Sequence, residues 1–240
     1  MVKKSLENEK IIKDIHDYWF KKYNIKNYDP EKNETGIFLN KDIKDDTIFL
    51  IFLKNKSFIQ CNSKIADIIK IKINIDDENI RFERLKEIFR DAEIDNHDYY
   101  FYSDGAHIKE VNEEFDYRLL TKEDLNILND MKTYCTKEEL EMGFVEIDHE
   151  GIMGCFDGEK LVSAGSYIYW GDKIGDIGIL THPEYRKRKI GRSVVSKMCD
   201  WGMMNNKIPL YRCNDLNIPS CRLANSLNLV NYMHLYEINI

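Results

Sequence analysis

No stretch of this sequence is both long and apolar enough to cross a membrane. A spanning helix needs about 18 or more uninterrupted apolar residues, and the longest strongly apolar run, residues 48–53, is only the size of a strand. The first residues, Met1-Val2-Lys3-Lys4-Ser5-Leu6-Glu7, lack the apolar centre of a secretory signal. The cysteines Cys61, Cys135, Cys155, Cys199, Cys213 and Cys221 lack C-x-x-C spacing, and their intervals are irregular. Neither a zinc site nor a disulfide framework is therefore expected. Most of the thiols read as buried side chains in a reducing cytoplasm, and no metal is expected. An excess of positive charge is missing as well: the formal net charge is -7. Generic binding to a phosphate backbone gains little from such a chain, so nucleic acid is not an expected partner. No low-complexity segment or internal repeat is visible.

What is present suffices for a packed core. Hydrophobic residues make up 43% of the 240 residues and aromatics 12%, which argues against disorder. Periodicity predicts a helix over residues 6–23, where Ile11, Ile12, Ile15, Trp19 and Phe20 recur at three- and four-residue spacings. A polar loop, 24–33, carries Pro30. Strands follow at 35–39 and 47–53, joined by a polar turn over 40–46, and a third run over 58–61 leads into a helix over 63–71. Ile80, Phe82, Leu85, Ile88 and Phe89 mark another helix, and 99–102 another strand. Tyr99, Tyr100 and Tyr102 read as half buried and half exposed. Residues 103–107 read as a linker, which sets the expected division: a smaller α/β domain over 1–110 and a second domain over 111–240. The first carries no motif tied to chemistry. A degenerate copy of the second domain, a specificity lid and a dimerisation surface all fit it.

In the second half a short strand at 117–120 precedes two helix starts. Thr121 with Asp124 and Thr136 with Glu139 have the spacing in which a hydroxyl and a carboxylate cap the first turn. Strands are expected over 151–156, 161–169 and 173–180, with turns at 157–160 and 170–172. A helix over 190–204, a strand over 208–212, a helix over 218–227 and a terminal strand over 230–240 complete the order. The fold class expected is α+β, with a mixed sheet rather than an alternating doubly wound one.

The most informative stretch runs through Asp176, Gly178, Ile179, Leu180, Thr181, His182, Pro183, Glu184, Tyr185, Arg186, Lys187, Arg188, Lys189, Ile190, Gly191 and Arg192. An apolar strand ends at Thr181, and Pro183 stops its ladder because proline has no N–H. A cationic loop follows, and Val194, Val195, Met198 and Trp201 then fall at helical spacing. The first turn of a helix offers unpartnered N–H donors and partial positive charge, so the arrangement is an anion cradle. Clustered Arg and Lys strengthen it.

Arg186-Lys187-Arg188-Lys189-Ile190-Gly191 resembles the pyrophosphate loop of the GNAT superfamily of N-acetyltransferases, Arg/Gln-x-x-Gly-x-Gly/Ala. Asn217-Ile218-Pro219-Ser220, followed by Leu223-Ala224, is similar to that family's Asn-x-x-Ser helix. Asp176 and Thr181 around Gly178 resemble its zwittermicin-resistance-like subgroup. The resemblance covers roughly residues 116–240. It implies a mixed sheet splayed between two strands, with helices on both faces, and acetyl-CoA as cosubstrate. Backbone groups of Ile179, Leu180 and Thr181 would meet the pantetheine arm. The loop Arg186, Lys187, Arg188, Lys189, Ile190, Gly191 and Arg192 would hold the pyrophosphate, and Asn217 and Ser220 would flank the thioester. Two positions depart from the pattern. Lys189 stands where the family has its first loop glycine; a right-handed helical backbone is expected there. Ala224 stands where many members place a general-acid tyrosine, for which Tyr232 and Tyr236 are the alternatives on the last strand.

The activity implied is transfer of an acetyl group to a small-molecule amine by direct attack. Asp176 is the first candidate for the base and His182 the second, an imidazole that titrates in the useful range. Cys213 is expected to be a buried thiol rather than a nucleophile. A non-catalytic acyl-CoA sensor competes with this reading, because of Ala224. An aminoacyl-transferase using charged tRNA competes too, although the acidic charge disfavours it. Membrane partners are not expected, and homodimerisation is left open.

Overall fold

The computed structural model describes residues 6–25, 35–54, 56–72, 80–109 and 111–240. Its elements, in chain order, are α1 Glu9–Lys22, β1 Gly36–Leu39, β2 Thr47–Leu53, β3 Lys56–Cys61, α2 Ser63–Lys72, α3 Phe82–Ile88, β4 Glu93–Tyr102, β5 Asp116–Leu119, α4 Leu125–Lys132, α5 Lys137–Gly143, β6 Gly151–Asp157, β7 Lys160–Trp170, β8 Ile174–Thr181, α6 Ile190–Met204, β9 Ile208–Asn214, α7 Ile218–Ser226 and β10 Val230–Asn239. Two compact units interleave along the chain. One contains Phe101–Arg212 and Ile218–Val230; the other contains Lys13–Tyr100, Cys213–Asn217 and Asn231–Ile240. Of the loop expected over 24–33, residues 26–33 lie outside the described residues, as does residue 110 at the expected domain boundary.

In the unit holding Lys13–Tyr100 the strand order is β1, β3, β2, β10, β4. The turn expected over 40–46 does not make a hairpin. β1 pairs in parallel with β3, from Gly36 opposite Phe58 to Leu39 opposite Cys61, and β3 separates it from β2. The reason is composition. Every β2 residue but Phe49 and Phe52 is buried, so the strand is apolar on both faces and needs a neighbour at each edge. It finds β3 on one side and β10 on the other, both antiparallel. Ile48, Leu50, Ile59, Ile65, Ile69 and Leu85 form the core between sheet and helices. Of the tyrosines expected to be half buried and half exposed, Tyr99 is partly exposed, whereas Tyr100 and Tyr102 are 3% and 0% exposed.

In the unit holding Phe101–Arg212 the order is β9, β8, β7, β6, β5. β5 to β8 form an antiparallel meander, and β9 joins β8 in parallel. Gly158 and Gly171 make its two tight turns, with φ of 59° and 62° that side chains disfavour. Successive strand residues face opposite sides, and both sides are covered. Ala164 and Leu180 join Leu128 and Met131 of α4 in one core. On the other side, Gly165 lets β7 approach Val194 and Met198 of α6. That helix buries Ile190, Val194, Val195, Met198 and Cys199 along one stripe, each apolar side chain there contributing about 2 kcal/mol. The result is the expected mixed sheet with helices on both faces.

Candidate active site

The sheet of this unit opens beside β8. β8 and β9 pair only at Ile174–Ile208, Gly175–Pro209 and Asp176–Leu210. β8 then runs on to Thr181, held along its other edge by β7 up to the Ser163–Thr181 pair. Beyond Asp176 the two strands part, and Asp176 sits at the vertex. It is 9% exposed, and its Oδ2 lies 3.7 Å from Nε of Arg212. The Arg212 guanidinium stands 5.4 Å from the Trp170 ring centre. Alternation explains the grouping. Leu210 pairs with Asp176, so Arg212, two residues on, faces the same side of the sheet.

The C-terminal end of α5 reaches that side as well. A Cβ on Gly178 would collide with the carbonyl oxygens of Gly143 and Phe144, so only glycine permits the approach. Phe144 ends the helix with φ of 39° and is 51% exposed. Ser166, opposite Gly178, places its hydroxyl 2.8 Å from Nδ1 of His149. The Glu146 amide donates to the same nitrogen at 3.4 Å.

At the far end of β8, Thr181 leads into the cationic loop. The loop departs from its expected backbone. Lys187 and Lys189 have φ of 64° and 63°, in the left-handed region, where right-handed helix was expected for Lys189. The position demands the conformation that glycine supplies in the resembling pattern, and a lysine adopts it at a cost of about 1 kcal/mol or more. α6 then starts at Ile190 with no side-chain cap, so the amides of its first turn are satisfied by no capping side chain. Lys189 also borders a cleft of about 450 Å³ with Val111, Asn112, Glu113 and Glu114.

The cations are not equivalent. Arg186 donates from Nε to the Thr181 carbonyl at 3.1 Å and pairs with Glu139 at 2.7 Å. Arg188 lies 3.6 Å from Glu114 and stacks over Phe115 at 4.7 Å. Arg192 donates to the Ser226 carbonyl at 2.8 Å, which ties α6 to the end of α7. Lys187 and Lys189 project from the exposed part of the loop. Gly191 places its α-carbon beside Thr181 and Leu223, joining strand, loop and both helices.

His182 is 1% exposed. Its Nδ1 accepts from the Glu184 amide at 3.3 Å, which places the neutral ring's proton on Nε2, and Nε2 is buried without a hydrogen-bond partner. Tyr134 and Tyr185 enclose the ring at 4.3 and 5.5 Å. Burial, reinforced by Lys160, holds its pKa below the ordinary imidazole value. Ser220 lies in the first turn of α7, and Asn217 immediately precedes that helix. Ala224 is fully buried. Tyr232 is 4% exposed, lies 3.0 Å from Nε2 of His16, and burial pushes it up to about 12. Cys213 is buried, as expected. Burial also pushes Cys61 and Cys155 up to about 11, so neither thiol is a ready nucleophile.

Sequence reasoning missed Arg212, Trp170, His149 and Asn112. Arg212 follows from period-two counting only once the β8–β9 register is known. It also missed a cluster within the other unit, where Asp215 Oδ2 lies 3.0 Å from His97 Nδ1 and His97 Nε2 lies 3.2 Å from His234 Nδ1. Tyr236 stacks on His97 at 3.9 Å. Among the described residues, no group of three or more His, Cys, Asp or Glu is placed to hold a metal ion, and no helix is long and apolar enough to cross a membrane.

Comparison with known proteins bears on this geometry. An acetyltransferase of the GNAT family from Colwellia psychrerythraea superposes with a TM-score of 0.54 at 11% identity, covering 99% of this chain and 98% of that one. A GCN5-related N-acetyltransferase-like protein from Streptococcus suis gives 0.48 at 13% identity, over 81% of this chain and 83% of the other. No curated protein matches at a significant level. The family pattern described as GNAT acetyltransferase matches residues 33–236, beginning well before the region that carries the motif resemblance. The chain therefore belongs to the GNAT acetyltransferase family.

Proposed function

We propose that this acetyltransferase uses acetyl-CoA and acetylates the primary amine of a small molecule by direct attack. The observation that carries the reading is the parting of β8 and β9 at Asp176, next to a helix start left without a side-chain cap. The residues fit the cosubstrate. Left-handed backbone at Lys187 and Lys189 belongs to the kind of turn that points successive amides at an anion. The α6 dipole adds to it.

When bound, acetyl-CoA supplies an acyl group activated as a thioester. The amides of Arg188 to Arg192 hold its pyrophosphate, with the side chains of Lys187 and Lys189 adding charge. Backbone groups of Ile179, Leu180 and Thr181 line the arm, and Asn217 and Ser220 at the start of α7 are further ligands. As the amine nitrogen bonds to the thioester carbonyl carbon and the C–S bond breaks, Asp176 takes the amine proton, directly or through water, and the departing thiolate takes its proton from solvent; the Arg212 guanidinium orients the Asp176 carboxylate. The geometry favours Asp176 over His182 as base, because Asp176 sits at the opening while His182 is enclosed between two tyrosine rings. Asp176 and Thr181 align the chain with the zwittermicin-resistance-like subgroup. The buried thiols fit a reducing cytoplasm, and a homodimer remains part of the proposal for size-exclusion chromatography to test.

A non-catalytic acyl-CoA sensor is the second reading, favoured by Ala224. Buried at the position aligned with the family tyrosine, it offers no proton to a leaving thiolate. One experiment separates the two. Thermal unfolding is followed with acetyl-CoA, CoA and ATP, each at about 100 times a micromolar dissociation constant. Binding then adds roughly 2.7 kcal/mol and raises the midpoint by about 5–10 °C. A shift with both thiol nucleotides, followed by amine-dependent thiol release, supports the enzyme; a shift without release supports the sensor. No shift overturns both. In the active protein, Asp176→Asn lowers kcat by roughly 100-fold with little change in the KM for acetyl-CoA. An unchanged kcat would remove Asp176 from the mechanism.

A further inference from the structure

The left-handed lysine at the α6 start raises a physical question: what holds the loop in a conformation its side chains disfavour? The segment before β5 supplies the contacts. The Asn112 amide donates to Oγ of Ser193 at 2.8 Å, and that hydroxyl donates to the Lys189 carbonyl at 3.2 Å. The Asn112 side-chain amide donates to the Arg188 carbonyl at 3.1 Å. One residue therefore reaches the carbonyls of both residues that lead into α6, one directly and one through a serine that is 1% exposed. The segment is itself anchored. The Ile108 amide donates to the Leu227 carbonyl at 2.9 Å, Ser196 Oγ donates to the Ile108 carbonyl at 3.3 Å, and Tyr117 donates to the Asn112 carbonyl at 3.1 Å.

We infer that Asn112 is a positioning residue for the phosphate-binding loop. It holds the Arg188 and Lys189 carbonyls turned back, so that the following amides point outward and a lysine stands where glycine would otherwise be needed. The inference rests on the reading that this loop binds CoA. It assigns Asn112 no contact with the ligand. The side chain acts on the backbone of Arg188, and the main-chain amide of Asn112 acts, by way of Ser193, on that of Lys189.

The test uses the full chain and CoA as the titrant in calorimetry, with unfolding midpoints measured without ligand. Asn112→Ala is expected to raise the Kd for CoA roughly fivefold, the worth of the one lost side-chain hydrogen bond to Arg188. At saturating acetyl-CoA the kcat stays within about twofold. In a Lys189→Gly background, which already lacks the lysine charge, Asn112→Ala costs less than about twofold, because glycine takes positive φ without strain. Ser193→Ala repeats the loss by removing the bridging hydroxyl, and serves if Asn112→Ala does not fold. An Asn112→Ala protein that binds CoA like the parent overturns the inference and leaves the CoA reading intact. An equal loss from Asn112→Ala in the Lys189→Gly background overturns it too, since the role would then be general packing. If the parent chain binds no CoA, both fall.

Discussion

Two helices that bracket the site start in opposite ways. α5 begins with a closed capping box. The Thr136 hydroxyl accepts from the Glu139 amide at 3.2 Å, and the Glu139 carboxylate accepts from the Thr136 amide at 2.9 Å. α6 begins with a left-handed lysine and no capping side chain. The first helix satisfies its own orphan donors and is finished by the chain alone. The second has no capping side chain for them, and in the proposed function they hold the pyrophosphate. The two starts are also wired together, because Glu139, which closes the α5 cap, holds Arg186 of the α6 loop. A missing cap alone does not single out a site, since α3 also starts without a capping side chain; what sets α6 apart is the left-handed cationic loop that leads into it.

The comparison is broken most severely by giving α6 a carboxylate of its own. Lys189→Asp suits left-handed backbone, and it places a negative charge where phosphate is proposed to sit. A loss of CoA affinity of about 100-fold or more is expected by calorimetry, with the unliganded midpoint unchanged or raised. Unchanged affinity would mean that the open helix start is not the binding site. The opposite manipulation, Thr136→Ala, removes a cap that nothing else replaces. It is expected to cost about 1 kcal/mol and a midpoint fall of about 2–4 °C, while CoA affinity stays put. If affinity fell with stability, the two starts would not be separable functions. The smallest effect is the dependence of a capped start on pH. Asp124 closes a similar box with Thr121 ahead of α4, and its hydrogen bond with Arg118 holds its pKa down at about 2. A depressed carboxylate stabilises the fold above its unfolded pKa, about 4, and that contribution drains away as the pH falls from there through about 2. Asp124→Asn should lower stability slightly at neutral pH, flatten the profile within that window and match the parent below it.

Both capping boxes, at Thr121 and Thr136, were legible in the sequence because a box is a local pattern spanning four residues. The α6 helix and its cationic loop were legible for the same reason, and so was the strand that feeds them. What sequence did not reveal depends on contacts distant along the chain. The β8–β9 register fixes Arg212 beside Asp176, and no spacing within either strand announces it. Asn112 meets Ser193 across eighty-one positions, through a segment that reads as an ordinary linker. The parallel β1–β3 pairing was hidden because a polar turn looks the same whether its strands are neighbours or are separated by a third. Lys189 misled in another way. Propensity favours right-handed backbone for lysine, and the surrounding hydrogen bonds overrule it.

The parting of β8 and β9 also bears on how this protein avoids sticking to itself. Strand edges that accept a small ligand can equally accept a foreign strand, and open ladders are where sheet proteins nucleate aggregates. Here the opening is short, lies inside a sheet rather than on its rim, and carries an acid and a base at its vertex, Asp176 and Arg212. An incoming apolar strand would have to desolvate that pair without replacing its hydration. The charges proposed to serve the chemistry would then double as gatekeepers, and replacing both with apolar residues would open that edge to aggregation.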